Sequence, residues 1–142
     1  MVKIKEVRNQ VKKYKELKAD IVNIDIMIKE KEVECLGITA MPQGERTSPT
    51  YKITSTVEIQ AEKHQKEIEP LLHQKFLKEN QIKRIDNALT ILNEIERSIV
   101  ETALIKGYRY SKLEEELHIT YTRIKQIESD ALNKMARYIA YN

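Results

Sequence analysis

Apolar residues recur every three or four positions along most of the chain, which is the spacing of one helical face. In residues 2–36 the repeating apolar positions are Ile4, Val7, Val11, Tyr14, Leu17, Ile21, Ile24 and Ile28. Lys, Glu and Asp fill most positions between them, so one side would be buried and the other solvated. The spacing predicts a single long helix over 2–36, with Gly37 as its C-cap. Its mean step is slightly below the helical repeat, which suits a left-handed coiled-coil contact.

Residues 37–54 interrupt this periodicity. The segment contains the turn-forming residues Gly37, Pro42, Gly44, Ser48 and Pro49, which favour a loop. A loop of this length is uncommon in a compact domain, so we expect it to be either mobile or functional.

A second helical segment is predicted from residue 55 to about Leu92. It begins at a candidate capping box, Ser55-Thr56-Val57-Glu58, in which the Ser hydroxyl and the Glu carboxylate would each accept a backbone N–H. Pro70 lacks a backbone donor and predicts a kink or a break. The apolar side of this segment would consist of Ile59, Ile68, Leu72, Phe76, Ile82, Ile85, Leu89 and Leu92. Because each apolar stripe needs a partner, we expect the two segments to pack antiparallel as a helical hairpin, with another subunit as the alternative partner.

Residues 93–142 are predicted to form a separate unit of shorter helices. A helix near 93–106 would end at Gly107, and a short helix near 111–117 would begin at a capping box formed by Ser111 and Glu114. The predicted division is therefore 1–92, a coiled-coil-like hairpin or oligomerisation region with its loop at 37–54, and 93–142.

The last helix is predicted to follow Thr120, which is a good N-cap residue. Its inward positions, at spacings of three and four, would be Ile124, Ile127, Ala131 and Met135. Near the start of the helix, the opposite side would carry hydroxyls, an amide and a cation.

Composition supports an all-α fold. The chain has 142 residues, of which 33% are charged and only 6% aromatic, with no Trp and three Gly. This balance is typical of helices with solvated faces rather than of a sheet core. The formal net charge is only +3, but cations concentrate in residues 1–18 and 120–137, as phosphate contact would require. The first of these groups, which we interpret as a solvated face with a DNA-binding arm as the alternative, is Lys3, Lys5, Arg8, Lys12, Lys13, Lys15 and Lys18.

No pattern in the sequence predicts catalysis. Cys35 is the only cysteine, so no internal disulfide can form and a reduced cytoplasmic setting is expected. His64, His73 and His118 lack the spacing of metal ligands, and no Gly-rich phosphate loop occurs. No stretch approaches the roughly 18 apolar residues of a membrane span. We therefore expect no enzyme activity, cofactor, metal or membrane.

The outward residues of the last helix could read a DNA major groove. Gln126 could pair with adenine, Lys125 could reach guanine acceptors, and the Thr122 methyl could contact a thymine methyl. Arg123, Lys134 and Arg137 would suit phosphates. The predicted DNA-binding set is Thr120, Tyr121, Thr122, Arg123, Lys125, Gln126, Ser129, Lys134 and Arg137.

The stretch TYTRIKQIESDALNKMAR over 120–137 resembles the recognition helix of bacterial sigma factor region four. The family pattern is T-x-x-R-I-[RK]-Q-I-E-x-x-A-L-x-K-[LM]-x-R, and the resemblance extends over residues 92–137. It implies a helix-turn-helix whose base contacts come from Tyr121, Thr122, Lys125 and Gln126. The family commonly has Arg and Glu at the first two of these, so recognition of the standard promoter hexamer is not implied.

Two further departures from the family concern the turn. Glu114 stands where a helix-turn-helix usually has a small residue, and a buried unpaired Glu would be costly. His118 replaces a frequent Gly, which would require a left-handed backbone conformation of it.

The overall layout resembles phage late-gene transcriptional regulators of the ArpU/RinA type. That resemblance implies a phage or prophage late-gene activator that acts with RNA polymerase in the cytoplasm of a bacterial host. The partners would be double-stranded DNA, RNA polymerase and a second copy in a homodimer. The alternatives are a DNA-packaging protein that resembles a small terminase subunit, and an adaptor that binds polymerase or a sigma factor.

Overall fold

A computed structural model describes residues 4–39 and 50–139, with side chains described for 4–34 and 61–139. All regular secondary structure in these residues is helical, without strands, which confirms the all-α class. The helices are α1 (Ile4–Lys12), α2 (Tyr14–Thr39), α3 (Thr50–Thr90), α4 (Glu94–Ile99), α5 (Tyr110–Leu117) and α6 (Tyr121–Ile139). A π-helical segment, Val100–Ile105, continues α4.

The first predicted helix is two helices, which meet at Lys13. The Lys13 N–H is shared between the carbonyl oxygens of Asn9 and Gln10, both at 3.2 Å. Such three-centre bonds are common where one helix ends. The prediction of Gly37 as a C-cap is wrong, because α2 continues through it to Thr39.

The second predicted helix begins earlier and is longer than the sequence suggested. Helix α3 starts at Thr50, so the Ser55 capping box is wrong, and it continues through Pro70 without ending there. A proline removes one hydrogen bond, and the leucines after it are good helix formers. Only residues 40–49 of the predicted loop at 37–54 fall outside the described residues.

Contacts divide the chain into two compact units. The first unit is Met1–Ala19 with Lys78–Asn142, and the second unit is Asp20–Leu77. These units do not coincide with the predicted division at residue 92, because α1 and the end of α3 share a core with α6.

The main core of the first unit joins α1, the start of α2, the end of α3, the π-helical segment and α6. Its buried residues are Val7, Val11, Leu17, Ile85, Ala88, Leu89, Leu92, Val100, Leu104, Ala131, Leu132, Met135 and Ile139. A smaller cluster of Ile99, Leu113 and Ile124 takes one residue each from α4, α5 and α6. The small cluster therefore packs α5 against the start of α6.

In the second unit, two ion pairs connect α2 to α3. Ile24 and Ile28 of α2 are buried. Asp25 Oδ1 lies 2.7 Å from the Lys75 ammonium, and Lys31 lies 3.2 Å from Glu67 Oε2. The Lys31 hydrogen bond lowers the pKa of Glu67. The partners follow opposite orders along the two helices: Asp25 precedes Lys31 in α2, whereas Lys75, the partner of Asp25, follows Glu67 in α3.

The apolar side of the second predicted segment is only partly correct. Leu72 and Phe76, which were assigned to it, are 49% and 58% exposed. Helical spacing identifies a stripe but does not decide how much of its width a neighbouring helix covers.

A capping box that the sequence analysis missed begins α4. The Asn93 side chain accepts the Glu96 N–H at 2.8 Å, and the Asn93 N–H donates to Glu96 Oε1 at 3.2 Å. The predicted box at Ser111 is wrong, because α5 already begins at Tyr110 and its N-cap residue, Arg109, makes no side-chain cap bond.

The Asn93 cap is expected to contribute measurably to stability. Replacing Asn93 with Ala leaves the Glu96 N–H without its side-chain acceptor and should lower the free energy of unfolding by about 1 kcal/mol. Urea denaturation followed by circular dichroism would measure it. Asn133→Ala, at an exposed α6 position, is the matched control and should change stability by less than about 0.5 kcal/mol. Equal effects of the two substitutions would contradict the assignment.

Candidate nucleic-acid interface

The turn between α5 and α6 has well-defined ends. His118 adopts φ 56° and ψ 39°, the left-handed conformation that the sequence pattern required of it, and its N–H donates to the Glu114 carbonyl at 2.9 Å. Thr120 then begins α6 as predicted, since its hydroxyl accepts the Arg123 N–H at 3.3 Å and its carbonyl accepts the Ile124 N–H at 2.9 Å. Glu114 is half-buried, so the predicted cost of a fully buried glutamate does not arise.

The inner face of α6 follows the predicted spacing. Ile124, Ala131 and Met135 are fully buried, and Ile127 is half-buried. Leu132 adds a further buried residue. This face fixes which side of α6 is turned outward.

The outer face collects most of the predicted contact residues on one surface. A shallow groove is lined by Tyr121, Thr122, Arg123, Lys125, Gln126, Ser129 and Asp130. Thr120 is exposed at the N-terminal end of α6, and Arg137 is exposed in its last turn. Asp130 was not predicted, and its carboxylate places a negative charge beside the groove.

Two of the groove residues are linked to each other. The Arg123 guanidinium donates to Gln126 Oε1 at 3.4 Å. This bond uses one of the two lone pairs of the amide oxygen and leaves the Gln126 amide N–H groups available as donors.

The Lys125 ammonium is held at the edge of the groove. It lies 4.6 Å from the centroid of the Tyr110 ring, 3.3 Å from the Tyr110 hydroxyl and 3.8 Å from Glu128 Oε2. A cation over an aromatic ring is attracted by its negative face. Lys125 would therefore have to leave these contacts in order to contact a DNA base.

Glu128 is the residue of this region that sequence reasoning missed. Its side chain is 0% exposed. Arg8 Nε of α1 donates to Oε1 at 3.1 Å, and the Tyr110 hydroxyl of α5 donates to Oε2 at 2.7 Å. The pKa of Tyr110 is raised above its ordinary value, mainly by burial and secondly by the hydrogen bond to Glu128. Three helices thus meet at one carboxylate.

A sequence signal for Glu128 existed. Glu128 stands four residues after Ile124 and three before Ala131, so it occupies the inward stripe of α6. A glutamate there needs a buried donor. Arg8 was instead assigned to a solvated face, whereas its side chain is only 26% exposed.

Tyr121 is positioned by an aromatic contact. Its ring meets the Tyr110 ring edge to face, with the centroids 5.5 Å apart and an interplanar angle of 86°. This geometry is a favoured one for aromatic pairs. Tyr121 nevertheless remains 49% exposed at the start of α6.

Lys134 lies apart from the groove and is paired. Its ammonium contacts both carboxylate oxygens of the buried Glu96, at 2.9 and 3.0 Å. The pair ties α6 to the capping box of α4 and neutralises one of the cations predicted to contact phosphate.

Among the residues that the structure describes, histidine, cysteine, aspartate and glutamate form no group of three that could hold a metal ion. None of the described helices combines the length and apolar character that a membrane crossing requires.

Comparisons with models of protein families, with curated proteins and with solved structures give no match to this chain.

The Arg8–Glu128 ion pair should contribute measurably to the stability of the first unit. Arg8→Met keeps much of the aliphatic side chain but removes the donor to Glu128 Oε1, so that the carboxylate keeps the Tyr110 hydroxyl and the Lys125 ammonium at 3.8 Å. We expect a loss of about 1–3 kcal/mol in the free energy of unfolding. In a Glu128→Gln background the same change should cost at least about 1 kcal/mol less. Urea unfolding of the four proteins measures this coupling.

Lys5→Met is the matched control, because Lys5 is exposed on the same helix. A loss no larger in Arg8→Met than in this control, or strict additivity with Glu128→Gln, would contradict a stabilising role for the pair.

Proposed function

We propose that this protein is a sequence-specific, double-stranded DNA-binding transcriptional regulator. In this proposal, α5, the turn at His118 and α6 act as a helix-turn-helix, and α6 is the recognition helix in the major groove. The observation that supports it is the groove lined by polar and charged residues along the first turns of α6, on the side away from the buried stripe.

The dimensions and chemistry of this surface fit the role. A major groove admits an α-helix and presents donors, acceptors and thymine methyl groups along its floor. Thr122 and Gln126 are exposed and offer a methyl, a hydroxyl and an amide. Tyr121 is braced by Tyr110, so its contact would need little further ordering.

The charges favour moderate rather than strong non-specific binding. Arg123 and Arg137 are exposed cations suited to phosphates, whereas Lys125 and Lys134 already face carboxylates. Asp130 opposes a phosphate at the same surface. Binding should still weaken as salt rises, because each phosphate contact releases counterions.

The regulatory role rests on resemblance. The pattern over 92–137 is similar to sigma factor region four, and the layout is similar to phage late-gene activators of the ArpU/RinA type. In this proposal the protein acts with RNA polymerase in a bacterial host.

The order of the two ion pairs in α2 and α3 supports an antiparallel hairpin in the second unit.

The base contacts can be tested on the duplex that the wild-type protein selects from a random pool. Lys125→Ala together with Gln126→Ala should weaken specific binding by roughly 1–3 kcal/mol per lost base contact. Fluorescence anisotropy with the selected and a scrambled duplex would measure this at fixed salt. Circular dichroism would establish that the double variant is folded.

Lys83→Ala, which removes an exposed cation from α3 in the same unit, is the charge-matched control. Its affinity for both duplexes should stay close to wild type. Unchanged specific binding in the double variant would refute the assignment of these residues. Equal losses on the two duplexes would assign them to phosphates instead of bases.

A further inference from the structure

Helix α1 carries three cations on one flank. Lys5, Arg8 and Lys12 follow one another at steps of three and four, so they lie on one side of the helix, which we call the α1 flank. Lys5 and Lys12 are exposed, and among the residues that the structure describes no carboxylate pairs with either of them. Glu6, the acidic residue of α1, lies two positions from Arg8 and is therefore turned away from it.

Two contacts place the α1 flank beside α5 and α6. Arg8 Nε donates to Glu128 Oε1 at 3.1 Å, and the Lys125 ammonium lies 3.8 Å from the other oxygen of the same carboxylate. At the start of α2, the Lys15 ammonium donates to the Lys106 carbonyl at 3.5 Å, in the segment that precedes α5. All of these residues belong to the first unit. The flank therefore borders the groove of α6 at the edge where Lys125 lies.

The charge pattern of the α1 flank differs from that of a helix face that is only solvated. Solvated faces usually intersperse charges of both signs, as α2 does in the run Lys29-Glu30-Lys31-Glu32. The α1 flank has one sign only, and Arg8 is held in place by its buried partner. A surface of one sign attracts a ligand of the opposite sign.

Helix α6 leaves part of the phosphate contact of a duplex to be supplied from elsewhere. Lys125 and Lys134 already face carboxylates, and Asp130 adds a negative charge beside the groove. Duplex DNA carries one negative charge per about 1.7 Å of its axis, so a duplex bound along α6 would extend phosphates past the edges of the groove. The α1 flank lies at one of these edges.

We propose that the α1 flank binds the phosphate backbone of the DNA duplex that α6 contacts, through the ammonium groups of Lys5 and Lys12. This inference rests on the proposed function and adds to it a backbone contact outside α5 and α6. A lysine ammonium is a point charge on a flexible stem, which suits a phosphate. Arg8 remains with Glu128 and acts as a positioning residue, because it fixes α1 against α6.

The salt dependence of binding tests this contact in the full-length protein. Lys5→Gln combined with Lys12→Gln should reduce the slope of log affinity against log salt concentration by about two, since each lost phosphate contact removes about 0.9 from it. Affinity should fall by the same factor for the selected and the scrambled duplex, because phosphate contacts carry no sequence information. Fluorescence anisotropy titrations at several salt concentrations measure both quantities.

Two matched variants separate charge on the α1 flank from charge elsewhere. Lys5→Arg combined with Lys12→Arg keeps both cations and should keep the wild-type slope. Lys13→Gln combined with Lys83→Gln removes two exposed cations of the same unit on the side of α3, because Lys13 lines a cavity with Arg84 and Lys83 belongs to α3. This variant should also keep the wild-type slope. Circular dichroism would establish that each variant is folded.

The outcomes distinguish this inference from the proposed function. An unchanged slope in the protein with Lys5→Gln and Lys12→Gln would overturn the inference and leave the proposed function intact. An equal reduction in the protein with Lys13→Gln and Lys83→Gln would also overturn it, since binding would then follow net charge. A loss on the selected duplex alone would assign the two lysines to bases and overturn it as well. A wild-type protein that binds neither duplex would refute the proposed function and this inference together.

Discussion

Glu128 places a carboxylate inside the first unit, where a charge without partners would cost several kcal/mol. Its two oxygens are satisfied only when Arg8 of α1 and Tyr110 of α5 lie against α6. The same carboxylate attracts Lys125, which rests on the Tyr110 ring. One buried group therefore ties three helices together and connects this junction to the outer surface of α6.

This junction determines which polar groups remain for a partner. Glu128 and Glu96 engage Lys125 and Lys134, so two of the cations on α6 are neutralised within the molecule. Arg123, Gln126 and Thr122 stay exposed on the groove. Under the proposed function, discrimination between sequences would depend more on hydrogen bonds and methyl contacts than on charge. The braced Tyr110 and Tyr121 rings would reduce the ordering that binding requires.

The sequence predicted those features that depend on neighbouring residues. The left-handed His118, the Thr120 cap and the buried stripe of α6 are local and were correct. The partners of Glu128 could not be predicted in this way, because Arg8 lies 120 positions away. The predicted capping boxes at Ser55 and Ser111 are wrong, because a short capping motif does not prevent a helix from starting upstream of it. The exposure of Leu72 and Phe76 shows that the spacing of apolar residues does not predict whether they are buried.

The proposed sequence-specific recognition of duplex DNA can be tested by selection of bound sequences from a random duplex pool. The purified full-length protein would be used at near-physiological salt with competitor DNA. We expect an enriched motif, and a palindromic motif would indicate that two recognition helices bind together. Recovery of a random pool by a folded, helical protein would contradict sequence-specific binding by the protein alone.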